Sequence, residues 1–342
     1  MSQSILVTGG AGFIGSHTVV ALAEAGYRPV IIDDFSNSQQ NVLDGLRRIL
    51  GYDVPCYVHD CNDRDQLLDL FQRENIRGAI HFAAFKAVGE SMQEPLRYYR
   101  NNLGSLMTLM EVMVETGVSD LIFSSSCTVY GEPETLPVTE RTPVQPAASV
   151  YGNTKQVGEE ILRDTAAAGK PLNIISLRYF NPIGAHPSAH IGELPLGIPG
   201  NLVPYITQTA AGLREKLTVF GNDYPTPDGT CIRDFIHVMD LAEAHVSALR
   251  FLQQPGPGSS YEVFNVGTGQ GSSVLELIRT FEDVSGQPLK YQIGPRRAGD
   301  ITAVYADVQK AREQLGWTAK RGLREALADA WRWQMGFEGS MV

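Results

Sequence analysis

The chain has 342 residues, 43% of them hydrophobic and 19% charged. That composition excludes a globally disordered chain, and it lets one large or two modest domains bury roughly three quarters of the unfolded surface. The net charge of −10, from 38 acidic and 28 basic residues, argues against broad binding to nucleic acid or to an anionic membrane, although a few arginines suffice for a local anion site.

The first ten residues carry no basic stretch ahead of an apolar core, so no secretory signal is expected. No run of about 18 apolar residues predicts a membrane span. Cys56, Cys61, Cys127 and Cys231 lack zinc-knuckle or CxxC spacing, and they read as free thiols of a cytoplasmic protein with no metal site.

Residues 4–8 form an apolar run that opens as a strand, followed by a glycine cluster and a helix over about 14–25 that Gly26 ends. A buried strand is predicted at 29–32, and similar apolar runs recur at 78–82, 120–124 and 173–177. Helix-like stretches near 64–74, 97–116 and 150–168 lie between them. Apolar strands alternating with amphipathic helices predict an α/β fold, a doubly wound parallel sheet covered on both faces. Residues 182–233 are rich in Pro and Gly and poor in periodic runs. Strand and helix signals return over 234–265, with a strand at 262–266. A helix from Ser273, a strand over 289–293 and a terminal helix over 323–335 complete the chain. The division expected is a Rossmann domain of 1–181 plus about 234–266, and a smaller interleaved α/β domain of about 182–233 plus 267–342.

Between the first strand and helix lies Gly9-x-x-Gly12-x-x-Gly15. One glycine permits the tight turn, one lets backbone reach a pyrophosphate, and one lets the helix pack close to the sheet. The helix N-terminus then offers free N–H groups to phosphate. Asp33, directly after Val30-Ile31-Ile32, stands where a carboxylate accepts bonds from both ribose hydroxyls and repels a 2′-phosphate, which favours NAD over NADP. Asp60 follows Tyr57-Val58-His59 at a third strand end, where adenine would lie.

Tyr151 and Lys155 are spaced to share one helical face. A phenol normally ionises near pH 10; a neighbouring ammonium stabilises its phenolate, the positive nicotinamide ring can add to that effect, and a tyrosine so placed becomes an acid/base near neutrality. Ser126 ends the strand Asp120-Leu121-Ile122-Phe123-Ser124-Ser125-Ser126, within reach of the same substrate oxygen.

The glycine loop, the strand-end Ser126 and Tyr151-x-x-x-Lys155 resemble the extended short-chain dehydrogenase/reductase family. The likeness extends through His81-Phe82-Ala83-Ala84-Phe85-Lys86, Arg178-Tyr179-Phe180-Asn181-Pro182, Gly221-Asn222-Asp223-Tyr224-Pro225-Thr226 and Arg233-Asp234-Phe235-Ile236-His237. Within that family it is to the enzymes that invert C4 of UDP-hexoses, and it covers nearly the whole chain. The resemblance implies NAD as a tightly bound cofactor regenerated each turnover, and a UDP-sugar substrate in the smaller domain. Tyr151 would take the O4 proton while the C4 hydride passes to the cofactor. The 4-keto sugar would then turn over and receive both back on its other face. UDP-glucose and UDP-galactose are the implied pair.

The likeness carries over position by position. Phe13 and Ile14 would meet the pyrophosphate. Asn37 and Ser38 would join Asp33 at the ribose, and Cys61 would join Asp60 at adenine. Phe82, Ala83, Ala84, Lys86, Asn101 and Phe180 would line the cofactor channel. On the substrate side stand Lys86, Asn181, Asn201, the uracil strip Thr218, Val219 and Phe220, the diphosphate arginines Arg233 and Arg297, and Asp300 at the uridine ribose. Val304 occupies a pocket-gate position where a tyrosine restricts the sugar, so acceptance of UDP-GlcNAc and UDP-GalNAc is expected. A homodimer packed through the helices near 97–116 and 150–168 is also implied. Related chemistry by a 4,6-dehydratase or decarboxylase would need acidic residues after Ser126, where Cys127 and Thr128 stand. A non-catalytic NAD sensor would lack the Tyr-Lys pair.

Overall fold

The computed structural model describes residues 2–254, 259–297 and 299–336. In chain order the first part comprises β1 (Ser4–Thr8), α1 (Phe13–Glu24), β2 (Arg28–Ile32), α2 (Asn41–Leu50), β3 (Cys56–Tyr57), α3 (Arg64–Arg73), β4 (Ile76–His81), α4 (Val88–Gln93), α5 (Pro95–Thr116), β5 (Asp120–Ser126), a 3-10 turn (Cys127–Tyr130), α6 (Val150–Ala167) and β6 (Asn173–Tyr179). Then come β7 (Asn181–Ile183), α7 (Leu202–Ala210), β8 (Leu217–Phe220), β9 (Ile232–Arg233), β10 (Phe235–His237), α8 (Val238–Leu252), β11 (Ser260–Val266), β12 (Ser272–Ser273), α9 (Val274–Ser285), β13 (Tyr291–Gly294), β14 (Ala303–Val304), α10 (Gln309–Gln314) and α11 (Leu323–Gly336).

Seven strands form one parallel sheet in the order β3-β2-β1-β4-β5-β6-β11. Alternate residues of each strand feed opposite layers, as the two-residue period of a strand requires. Ile5, Val7 and Ile31 pack on the side of α1 and α8, whereas Leu6, Val30 and Ile32 pack on the side of α3, α5 and α6. Side chains of this kind contribute roughly 1.5–3 kcal/mol each when fully buried. Both faces being covered, the strands read as continuous apolar runs, and the expected doubly wound architecture is observed. Strand order reverses between β1 and β4, and the carboxyl ends there form the crevice where ligands of such sheets bind.

The remaining segments build a separate cluster. Ile183, Val203, Ile206, Leu277, Phe281 and Leu327 pack together from β7, α7, α9 and α11. Short sheets tie this part together: β7 with β10, β8 with β13, and β9 between β12 and β14. The sequence reading did not include α2 or α7. α2 does carry an apolar stripe, Val42, Leu46, Ile49 and Leu50, packed against the core, and it was passed over. The strand expected over 289–293 begins at Tyr291, because the Leu289 N–H is taken by Glu282 Oε1 at 2.8 Å and not by a strand. β3 ends at Tyr57, so Asp60 lies in the following loop and not at the strand terminus. Among the described residues no helix is long and apolar enough to cross a membrane, and no cluster of His, Cys, Asp or Glu could hold a metal. All four cysteines are free.

Candidate functional site

The glycine loop is built around backbone closeness. Gly9 has φ +67°, and a Cβ there would lie 2.9 Å from Ala83 N. A Cβ on Gly15 would lie 2.2 Å from the Gly9 carbonyl oxygen. The loop therefore admits no side chain where it turns into α1. No side chain caps that helix at Gly12, so the first-turn N–H groups of Phe13 and Ile14 face outward without an intrahelical acceptor. Such a terminus suits a phosphate.

Asp33 is buried beside this loop. Its Oδ2 accepts from Ala11 N at 3.0 Å, and its Oδ1 accepts from Phe35 N at 3.0 Å and Ser38 Oγ at 2.8 Å. Burial raises the carboxyl above its ordinary range, opposed by those three bonds. Ser38 thus touches Asp33 directly. Asn37 is exposed. Asp60 is exposed and caps its own loop through Asn62 N at 2.8 Å, while Cys61 is buried in the core beneath.

At the end of β4 the chain is fastened to β1. The Thr8 hydroxyl accepts from Phe82 N at 3.1 Å and Ala83 N at 3.2 Å, and it lies 2.8 Å from His81 Nδ1. Having two donors already, the hydroxyl gives its proton to His81, which burial keeps neutral with a pKa lowered to about 3. The 82–86 loop is held farther along by Asn102, which bonds Phe85 N at 2.8 Å, Phe85 O at 3.0 Å and Thr154 Oγ1 at 3.1 Å. Among the described residues the Asn101 side chain donates to Asn102 Oδ1 alone, at 3.0 Å. Asn102 is the residue that sequence reading passed over; its signal was a polar side chain on the buried face of α5.

Tyr151 and Lys155 sit on the first turns of α6, whose N-terminus is capped by Ser149 Oγ accepting from Gly152 N at 3.0 Å. Lys155 Nζ donates to Ser124 O at 2.6 Å and lies 4.9 Å from the Phe123 ring centroid and 5.9 Å from that of Tyr151. Among the described residues the Tyr151 hydroxyl has no hydrogen-bond partner, and Ser126 Oγ accepts only from Thr128 N, at 3.2 Å. Burial pushes the Tyr151 phenol up to about 12, reinforced by Cys127, and pushes the Lys155 ammonium down to about 8 against the pull of Glu159. Burial thus opposes the phenolate in the protein alone, and the positive nicotinamide ring expected beside Lys155 would add to the ammonium in favouring it.

On the other side of the cleft, Asn181 opens β7, and among the described residues its buried Oδ1 has no partner, an acceptor left open for a ligand donor. Phe180 is buried beside it. Asn201 Nδ2 donates to Glu193 Oε1 at 2.5 Å, and Lys86 Nζ lies 3.7 Å from the same oxygen. Glu193 thus joins two predicted substrate residues from within the unpatterned 182–233 stretch, and nothing in the sequence flagged it. Burial raises its carboxyl. Thr218, Val219 and Phe220 end β8, with Val219 buried and Phe220 exposed. Arg297 Nη2 donates to Asp300 Oδ1 at 2.6 Å, and Arg233 Nη2 lies 3.9 Å from that atom. Two guanidiniums therefore converge on one carboxylate, a geometry suited to a diphosphate. Val304 pairs in register with Arg233 and is buried with Val129, Phe180 and the partly buried Cys127.

The family model for the NAD dependent epimerase/dehydratase family matches residues 5–267. A UDP-glucose 4-epimerase of Bacillus subtilis (strain 168) is 52% identical over 333 residues, 97% of each chain. The crystal structure of a UDP-glucose-4-epimerase from Stenotrophomonas maltophila with bound NAD and formylated UDP-arabinopyranose superposes with a TM-score of 0.94 at 47% identity, covering 97% of this chain and 98% of that one. A UDP-Glc/GlcNAc 4-epimerase from Campylobacter jejuni superposes at 0.84 with 37% identity, covering 98% and 99%.

Proposed function

The chain belongs to the NAD dependent epimerase/dehydratase family, and from that premise we propose that Tyr151 is the proton shuttle of an NAD-dependent isomerase that inverts C4 of UDP-hexoses, interconverting UDP-glucose and UDP-galactose. NAD, when bound, takes up the C4 hydride and returns it. The observation that carries the assignment is the pair on α6, a half-buried phenol without a partner among the described residues beside a buried ammonium held by Ser124 O.

The cradle fits that cofactor. The Gly9–Gly15 turn leaves space that a Cβ would fill, the first turn of α1 offers Phe13 and Ile14 N–H to the pyrophosphate, and Asp33 with Ser38 and Asn37 takes the ribose. Asp60 and Cys61 border adenine; Phe82, Ala83, Ala84, Lys86, Asn101 and Phe180 form the channel beyond. Tyr151 removes the O4 proton on the outward step and restores it after the sugar has turned. Ser126 hydrogen-bonds the same oxygen, and Lys155 holds the nicotinamide ribose. Asn181, Asn201, Lys86, Thr218, Val219, Phe220, Arg233, Arg297 and Asp300 hold the UDP-sugar in the smaller domain, 182–233 plus 267–342, against a Rossmann domain of 1–181 plus 234–266. The finer reading adds UDP-GlcNAc and UDP-GalNAc, because Val304 leaves more room at the pocket wall than a tyrosine would; a relative of known structure is itself a UDP-Glc/GlcNAc 4-epimerase. A cytoplasmic homodimer packed through α5 and α6 completes the proposal, supported by Leu96 and Met107, 75% and 44% exposed on α5; sedimentation decides it.

The test is direct. Protein purified without added cofactor should convert UDP-galactose to UDP-glucose and release NAD on denaturation. A chain empty of NAD, and inert even when NAD is supplied, would overturn the reading.

A further inference from the structure

Beneath the Tyr151–Lys155 pair lies a buried charged hub that touches none of the groups assigned above to cofactor or substrate. Glu159 is one helical turn beyond Lys155 on α6, so the two side chains share a face. It is 5% exposed, Lys155 4% and Arg178 5%. Arg178 clasps Glu159 with both arms: Nε donates to Oε1 at 2.9 Å and Nη2 donates to Oε2 at 2.5 Å. Glu159 Oε1 also accepts from Ser125 Oγ at 2.5 Å. Ser125 is the residue between Ser124, whose carbonyl holds Lys155, and Ser126. Arg178 faces Ser125 across β5 and β6. Its Nη1 donates to Tyr130 OH at 3.0 Å, and that hydroxyl donates to Asn265 Oδ1 at 2.6 Å. The hub therefore reaches the strand, the helix and the 3-10 turn that bring the three active-site side chains together.

A bidentate Arg–Glu pair in a dry interior costs much desolvation, and apolar residues of similar volume would often serve stability equally well. Its placement argues for a task besides stability. Lys155 is a second buried cation, and an ammonium without a nearby anion loses its proton in such surroundings. The charged and titratable groups that act on it are Tyr151, whose ring centroid lies 5.9 Å from Nζ, and Glu159 on its own helix, with neutral His81 from β4; Arg178 and Tyr130 gather on Glu159, and Cys127 and Tyr179 face Tyr151. Glu159 is the carboxylate among them.

We propose that Glu159, gripped by Arg178, is the positioning residue of the active site: it fixes the strand carrying Ser124 and Ser126 and supplies the counter-charge that keeps the Lys155 ammonium beside Tyr151. This rests on the Tyr151–Lys155 reading above. The depression of Lys155 to about 8, opposed by Glu159, agrees with it.

The test is the pH profile of turnover in NAD-retaining protein, for wild type, Glu159→Gln and Glu159→Asp. In wild type, turnover falls at alkaline pH as Lys155 loses its proton. Glu159→Gln keeps an oxygen for Ser125 but removes the charge, so this limb should move down by about one pH unit or more. Glu159→Asp retains the charge and should leave the limb closer to its wild-type position. A merely structural role would lower turnover equally at every pH in both variants, and that result overturns the proposal. Should Glu159→Gln fail to fold, Arg178→Met is read in its place. There the unopposed carboxylate holds Lys155 charged to higher pH, and an unmoved limb contradicts the proposal. If wild-type protein itself does not turn over UDP-galactose, the failure belongs to the functional reading and not to Glu159.

Discussion

The cofactor half and the substrate half of the cleft are prepared in different ways. The cofactor half is a set of strand ends. The glycine loop, Asp33, Phe82 and Phe180 follow β1, β2, β4 and β6, and Ser126 ends β5, at the carboxyl edge of one buried sheet. What it offers is space, open N–H groups and an acceptor already fixed by Ala11 and Ser38. The substrate half is gathered from short strands and loops, and several of its polar groups are bonded to one another, Arg297 with Asp300 and Asn201 with Glu193, while Asn181 Oδ1 stays open among the described residues. A ligand enters the first half without displacing protein contacts. In the second half it exchanges with them, so single substitutions there should be milder and more specific to the ligand.

The largest effect is expected where the halves meet. Tyr151→Phe removes the acid/base and should lower turnover by ~10²–10⁴-fold while NAD stays bound; turnover near wild type would remove Tyr151 from the mechanism. Next comes Gly15→Ala. With its Cβ 2.2 Å from the Gly9 carbonyl oxygen, the loop must shift, at roughly 1–3 kcal/mol of overpacking strain, and the purified protein should emerge depleted in NAD. Retention of NAD at the wild-type level would mean that the cradle is not rigid.

On the substrate side, Arg233→Ala should raise KM for UDP-galactose by roughly tenfold, and Arg297→Ala by only a few-fold, because exposed charge pairs are worth about 0.2–1 kcal/mol and the Arg297 side chain is 58% exposed against 16% for Arg233. The reverse order would misplace the diphosphate. The smallest and most selective change is Val304→Tyr, at a buried position packed with Val129 and Phe180. It should cost UDP-GalNAc turnover and spare UDP-galactose. Equal loss of both would reduce Val304 to a packing residue.

The sheet and its cofactor edge were legible in the sequence because each piece is local. A buried strand prints an apolar run, a tight turn demands glycine, and Tyr151 and Lys155 fall on one face by spacing alone. The substrate side was legible only through family resemblance. β9, β12 and β14 are two residues long, too short for any period to appear, and their partners lie dozens of residues away. Glu193 escaped for the same reason: it matters through what it touches, not through its neighbours in sequence, whereas Asn102 carried a signal, a polar residue on the buried face of α5.

UDP-galactose carrying deuterium at C4 probes the shared-hydrogen mechanism most directly. If one bound NAD takes the C4 hydrogen and gives it back to the same carbon while Tyr151 handles only the hydroxyl proton, the UDP-glucose formed in ordinary water should keep its deuterium at C4. Product that has lost the label to solvent would mean that the C4 hydrogen leaves as a proton, and the mechanism built on Tyr151 and the dinucleotide cradle would be wrong.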